Sequence, residues 1–145
     1  MKRLALLAVF AGIQQGAAQG TRAAQVAVVG NDYAFIGFPA TIAAGPTAFS
    51  FENRGEVRHE MTIILLKPGL TVKDLMAMPT GAVTSPRAAE SLIGLLIARR
   101  HERAGGQLLV ELKSGQRYLV ICNLRDTPDG QPHSTLGMVA TFDVP

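Results

Sequence analysis

The stretch that decides the fold is residues 117–144, RYLVICNLRDTPDGQPHSTLGMVATFDV. It begins and ends with short runs of β-branched, aromatic and aliphatic residues, which are typical of strands. Tyr118, Val120 and Cys122 alternate along the first run, so they are predicted to share one face of a strand. Residues 123–132 contain two prolines and a glycine, which predict a stiff loop. The sequence therefore places Cys122 where the chain leaves a strand, with a constrained loop behind it.

Short β-rich runs of the same kind occur elsewhere in the chain and predict further strands. Turn residues separate them, among them Gly30-Asn31-Asp32 and Lys67-Pro68-Gly69. About seven short strands with turns between them favour an all-β fold, an antiparallel β-sandwich. The strands that can be delimited are residues 25–29, 47–52, 56–66, 108–112, 117–122 and 138–144.

Residues 71–106 differ in character and are predicted to form a helical insertion. A first helix is predicted over residues 72–78, because Thr71 is a suitable N-cap and a proline follows the segment. A second helix is predicted from Ser85-Pro86, with proline at the first helical position, through an apolar run to Gly105-Gly106. Its apolar stripe is expected to pack against the sandwich.

Residues 1–18 predict a secretory signal peptide, with two basic residues, an apolar run over residues 4–13 and then small residues. That run is too short for a membrane span, which takes roughly 20 residues. Removal of the signal peptide leaves residues 19–145 as one domain with 12 basic and 11 acidic residues, a formal net charge of +1. We expect a periplasmic or secreted protein. Since basic and aromatic residues are not interleaved, a nucleic-acid partner is not expected, and no later segment is apolar enough to span a membrane.

Four residues stand out as candidate metal ligands: His59, Cys122, His133 and Met138. A thiolate and a thioether favour Cu(I), while imidazole serves both copper oxidation states. Cys122 is the only cysteine, so an exported chain cannot use it for an internal disulfide. Taken singly, each residue has an ordinary alternative, such as burial in the core or a place in a loop. Taken together and in this order, the four predict one copper site.

At these residues the sequence resembles the cupredoxins, the blue copper proteins. The resemblance lies in a strand-end cysteine followed by histidine and methionine, and in an earlier strand with the first histidine: residues 118–122, 132–133, 137–138 and 53–60. It spans about residues 25–66 and 108–144 and leaves the helical segment as an insertion. It implies a Greek-key sandwich, a mononuclear type 1 copper on the four candidate ligands, and electron transfer without catalysis.

The resemblance also implies how the electron leaves. Copper is expected to be exposed through the edge of His133, where a c-type cytochrome or another copper protein would dock on an apolar surface. The chain departs from the family pattern at two points. Ten residues separate Cys122 from His133, an unusually long loop, and Glu60 stands where many members have Asn or Ser. The second change is expected to remove a side-chain hydrogen bond that ties the ligand loops together.

An enzyme is not expected, because the sequence shows no Ser/His/Asp arrangement, phosphate loop or specific carboxylate pair. Two functions of other classes remain open beside the electron carrier. One is a metal-free cupredoxin-like binding or scaffold domain. The other is a copper storage or delivery protein, which would keep the ligands and lack reversible electron transfer.

Overall fold

A computed structural model describes residues 22–79 and 87–145 of the chain, and within these residues the fold is a sandwich of two four-stranded sheets. The first sheet has the strand order β2-β1-β3-β6 and the second the order β5-β4-β7-β8. The elements are β1 (Ala24–Asn31), β2 (Ala34–Ile36), β3 (Gly45–Asn53), β4 (His59–Leu66), α1 (Val72–Met76), β5 (Ala89–Ala98), β6 (Leu108–Leu112), β7 (Gln116–Ile121), a 3-10 turn (His133–Leu136) and β8 (Val139–Val144).

The predicted all-β Greek-key sandwich is confirmed. Neighbouring strands pair antiparallel except β1 and β3, which run parallel. All six delimited strands are present within a few residues of their predicted bounds, whereas the three-residue β2 was not predicted. The predicted signal peptide, residues 1–18, lies outside the described residues and stays a prediction.

The core between the sheets is built from alternate residues of the strands, as the pleat requires. Tyr118, Val120 and Cys122 all face it, which confirms their predicted alternation. Tyr118 stacks on Phe142 with ring centroids 4.9 Å apart. The intervening residues of β4 and β7 face the other side of the second sheet, where a smaller cluster packs under α1. Because β4 is covered on both faces, all eight of its residues are buried.

The first predicted helix is confirmed and the second is wrong. Thr71 caps α1, and its side chain and that of Asp74 form a reciprocal capping box. The predicted start of the second helix at Ser85-Pro86 lies outside the described residues. The apolar run that follows is the edge strand β5, paired along the whole of β4. Among the described residues, no helix has the length and apolar character needed to cross a membrane.

A β-bulge explains why β5 has the spacing of a helix. The register shifts so that Ile63 pairs with Gly94 and Ile64 with Leu92, which leaves Ile93 as an extra residue. Ile93 and Leu96, three residues apart, consequently both pack on the core between the sheets. A three-residue spacing of core-facing side chains is the pattern expected of a helix. The bulge produces the same pattern in a strand.

Candidate metal centre

The four predicted ligands lie together at one end of the sandwich. His59 is the first residue of β4, Cys122 follows β7, His133 opens the 3-10 turn and Met138 precedes β8. All four are fully buried, with relative exposure of 0%. The long loop between Cys122 and His133 therefore does not carry the histidine away from the cysteine.

Backbone hydrogen bonds fold this loop back onto the strand that precedes it. The N–H of His133 donates to the carbonyl of Leu124 at 2.9 Å, and that of Ser134 donates to the carbonyl of Cys122 at 2.7 Å. Met138 is tied to both ligands, since its N–H donates to His133 at 3.0 Å and its carbonyl accepts from Cys122 at 3.2 Å. These bonds fix the relative positions of the three C-terminal residues independently of any metal.

Three side chains converge on one point with their potential ligand atoms inward. The Nδ1 atoms of His59 and His133 are 3.0 Å apart. The Sγ of Cys122 is 3.4 Å from Nδ1 of His133 and 3.9 Å from Nδ1 of His59. The structure thus brings His59, Cys122 and His133 into a cluster that could hold one metal ion. The role of the Met138 sulfur stays a prediction.

The outer nitrogens of both histidines face carboxylates. Nε2 of His59 lies 3.3 Å from Oδ1 of Asp32, and Nε2 of His133 lies 2.9 Å from Oδ1 of Asp126. A hydrogen bond from Tyr33 lowers the pKa of the Asp126 carboxyl, and the bond to His133 lowers it further. A carboxylate only accepts hydrogen bonds, so these contacts require a proton on each Nε2.

With the protons on both Nε2 atoms, each imidazole turns Nδ1 inward as a hydrogen-bond acceptor. Two such acceptors face each other at 3.0 Å in a buried place beside a sulfur atom. Buried polar atoms are normally satisfied, and two lone pairs cannot satisfy one another. A cation placed among these three atoms removes the conflict. Two imidazoles and one thiolate are the in-plane donor set of blue-copper sites, so the residues present fit a copper ion.

The Cys122 thiol is held in a low-dielectric environment. Burial raises its pKa to about 11, although the N–H of Glu60, 3.4 Å from Sγ, favours the thiolate. Burial likewise lowers the pKa of His59, with Asp32 opposing that effect. Without a metal the site therefore holds a neutral thiol and a neutral His59 near pH 7. A bound cation has to displace the thiol proton.

Glu60 does not break the link between the ligand segments, contrary to the expectation from the sequence. Its Oε1 accepts a hydrogen bond from the backbone N–H of Asn123 at 2.9 Å. Glu60 follows His59 in the chain, and Asn123 follows Cys122. The side chain is long enough to make this bond while remaining 8% exposed. The hydrogen bond that an Asn or Ser would make between the two ligand segments is therefore made by a glutamate.

The expectation that His133 presents its edge to solvent is wrong. Its side chain is 1% exposed. Asp126 covers Nε2, and the hydroxyl of Tyr33 donates to the other oxygen of Asp126 at 2.6 Å. The Tyr33 ring stands edge-on to the rings of His133 and His59, with centroids 5.0 Å and 6.2 Å away.

Sequence reasoning missed the residues around the ligands. Asp32 and Tyr33 form the tip of the β1–β2 hairpin, and only a turn was predicted there. Asp126 lies in the predicted stiff loop of residues 123–132, and its contact with His133 was not predicted. Gly55 lies so close that a Cβ on it would clash with Oδ1 of Asp32 and would lie 3.0 Å from Nε2 of His59. The Asn53-Arg54-Gly55 turn before the first histidine was the only local signal for this packing.

Comparisons with known proteins agree with this architecture. No family model matches the chain, and no curated protein matches its sequence. Reduced auracyanin from Roseiflexus castenholzii superposes with a TM-score of 0.57 at 14% identity, covering 85% of this chain and 98% of its own. Auracyanin A of Chloroflexus aurantiacus, described as a blue copper protein, gives 0.55 at 17%, covering 86% and 100%. Auracyanin B gives 0.53 at 19%, covering 87% and 91%. At these identities the likeness is one of fold.

Proposed function

We propose that this chain, which has the cupredoxin fold, binds one copper ion and acts as a one-electron carrier. His59, Cys122 and His133 would be the strong ligands, and Met138 would be a fourth, weak ligand. The observation that carries the proposal is the pair of buried Nδ1 atoms, 3.0 Å apart beside the Cys122 sulfur, with both Nε2 atoms turned to carboxylates. The fold of the auracyanins supports it.

The ligand residues come from separate elements that are fixed before any metal binds. The backbone bonds at Cys122, His133 and Met138, and the bond between Glu60 and Asn123, hold these elements together. Copper would supply the Cu(I)/Cu(II) couple. Imidazole and sulfur donors held in one buried arrangement serve both oxidation states, so little rearrangement accompanies electron transfer. The surrounding residues exclude water and hold the two imidazoles in the ligating tautomer.

Electron transfer without catalysis is the proposed activity. Four proposed ligands leave no position for a substrate, and all four are buried. The proposed partner is a c-type cytochrome or another copper protein that approaches the end of the sandwich where the centre lies. We further propose that residues 1–18 direct export and that the protein works in the periplasm or outside the cell. Burial of Cys122 would protect its thiol from unwanted oxidation there.

The test is a titration of the reduced, metal-free protein with Cu(II), followed by visible absorption and EPR. We expect a thiolate-to-copper charge-transfer band that saturates at one equivalent and is absent in Cys122→Ser. Met138→Leu is expected to shift the band, whereas Met61→Leu, which changes a buried core methionine outside the proposed ligand set, leaves it unchanged. Absence of both the band and bound metal would refute the proposal and leave the metal-free scaffold.

A further inference from the structure

We propose that Tyr33 and Asp126 form a cap that holds His133 in its ligating orientation and closes the metal centre to water and to small ligands. The inference rests on the proposed function, because the cap matters only if His133 is a ligand. It concerns residues outside the ligand set.

Asp126 is a positioning residue that makes two different hydrogen bonds at once. Its Oδ1 is 2.9 Å from Nε2 of His133, and its Oδ2 accepts from the Tyr33 hydroxyl at 2.6 Å. The first contact selects the tautomer with the proton on Nε2 and leaves Nδ1 free to bind a metal. The second fixes the carboxylate plane. A partner of this kind for a metal-ligating histidine typically contributes 10- to 100-fold in metal affinity.

Tyr33 occupies a strained backbone position. The β1–β2 hairpin has a two-residue loop, Asp32-Tyr33, and Tyr33 has a φ of 60°. The left-handed region is unfavourable for a bulky residue and is normally left to Gly, Asn or Asp. Residues held in such conformations cluster at functional sites. Glycine would suit this turn better, so a tyrosine here points to a role for its side chain.

The hairpin tip bearing Tyr33 is seated against both histidine-bearing segments. Asp32 accepts from the N–H of Glu56 at 2.9 Å and contacts His59. The carbonyl of Tyr33 lies against Gly137, where a Cβ would be 3.2 Å away. The Tyr33 ring covers His133 and remains partly exposed itself. It therefore stands between the buried imidazole of His133 and solvent.

The experiment measures how fast a chelator removes copper. Protein loaded with Cu(I) is mixed with excess bicinchoninate, and the coloured chelator complex is followed in time. Three variants are compared with the unchanged chain: Tyr33→Gly, Tyr33→Phe and Asp126→Ala. Asp129→Ala, in the same exposed loop, is the matched control. Tyr33→Gly removes the cap and also relieves the positive φ, so its effect is not a failure to fold.

The expected order follows from the hydrogen bonds that each variant loses and from whether it keeps the Tyr33 ring. Asp126→Ala loses both and lowers Cu(I) affinity by about 10- to 100-fold, mainly through faster release. Tyr33→Gly speeds removal of copper by the chelator, and Tyr33→Phe, which keeps the ring, has a smaller effect. Asp129→Ala behaves like the unchanged protein. Equal removal rates in all five proteins would overturn the cap, as would a Tyr33→Gly rate equal to that of Tyr33→Phe.

A measurement on the metal-free protein separates this inference from the proposed function. Nitrogen-15 NMR of the His133 ring reports which nitrogen carries the proton. We expect the Nε2–H tautomer in the unchanged protein and a mixture of tautomers in Asp126→Ala. If the chain binds no copper, the proposed function fails, and this tautomer comparison still decides whether Asp126 positions His133. If copper binds and the tautomer is unaffected by Asp126→Ala, the positioning role is wrong.

Discussion

Replacing Glu60 by alanine should destabilise the protein even without metal. The Glu60 carboxylate accepts a 2.9 Å hydrogen bond from the N–H of Asn123 and is 8% exposed. Alanine removes the acceptor and leaves that N–H unpaired in a partly buried place. A hydrogen bond to a charged group contributes about 1.5–3 kcal/mol, so the free energy of unfolding should fall by that amount. Glu60→Gln retains an acceptor oxygen and should cost less, about 1 kcal/mol.

Urea unfolding of the metal-free variants, followed by circular dichroism, measures these differences. With a slope of about 2 kcal/mol per molar urea, Glu60→Ala should lower the midpoint by about 1 M. Glu111→Ala, a change of an exposed glutamate on β6, is the matched control and should leave the midpoint unchanged. The reasoning is refuted if Glu60→Ala unfolds at the same urea concentration as the unchanged protein, or if Glu60→Gln loses as much stability as Glu60→Ala.

Three further predictions concern single positions. Thr62→Val should raise the free energy of unfolding by about 1 kcal/mol in urea, because the buried Thr62 hydroxyl has no hydrogen-bond partner among the described residues; no gain would contradict this. Gly55→Ala should weaken copper affinity about 10- to 100-fold in a chelator competition, because the alanine Cβ displaces Asp32 from His59. An unchanged affinity would count against a role for the contact between Asp32 and His59. Burial raises the pKa of the Cys122 thiol to about 11, so copper binding has to displace one proton. Copper affinity should therefore rise about tenfold per pH unit from pH 7 to 9. An affinity that does not change with pH would argue against thiolate ligation.

The candidate ligands could be predicted from sequence because each is a chemically specialised donor. Histidine, cysteine and methionine are scarce here, and Cys122 is the only cysteine, so their order along the chain carries information. The strands could be predicted for a similar reason, since alternation of Tyr118, Val120 and Cys122 is imposed by the pleat of a sheet. The signal for the strands lies within a few consecutive residues, and the signal for the ligands lies in the identity and order of a few specialised residues.

What could not be predicted depends on contacts between distant segments. Asp32 is 27 residues from His59 in sequence, and Tyr33 is 93 residues from Asp126. Aspartates in turns are common, and nothing local distinguishes those that face a histidine. The prediction of a helix at β5 was wrong for a different reason. The bulge gives Ile93 and Leu96 a helical spacing, which only the pairing of β5 with β4 explains. The hydrogen bond between Glu60 and Asn123 joins the two ligand segments although Glu60 stands where an Asn or Ser was expected.

Cyclic voltammetry of the copper-loaded protein tests the central claim most directly, because it asks whether one buried site serves both oxidation states of copper. The account predicts a single reversible one-electron wave that survives repeated scans and is absent in Cys122→Ser. No wave, or an irreversible wave accompanied by loss of copper on reduction or oxidation, would contradict electron transfer and favour storage or delivery of the metal.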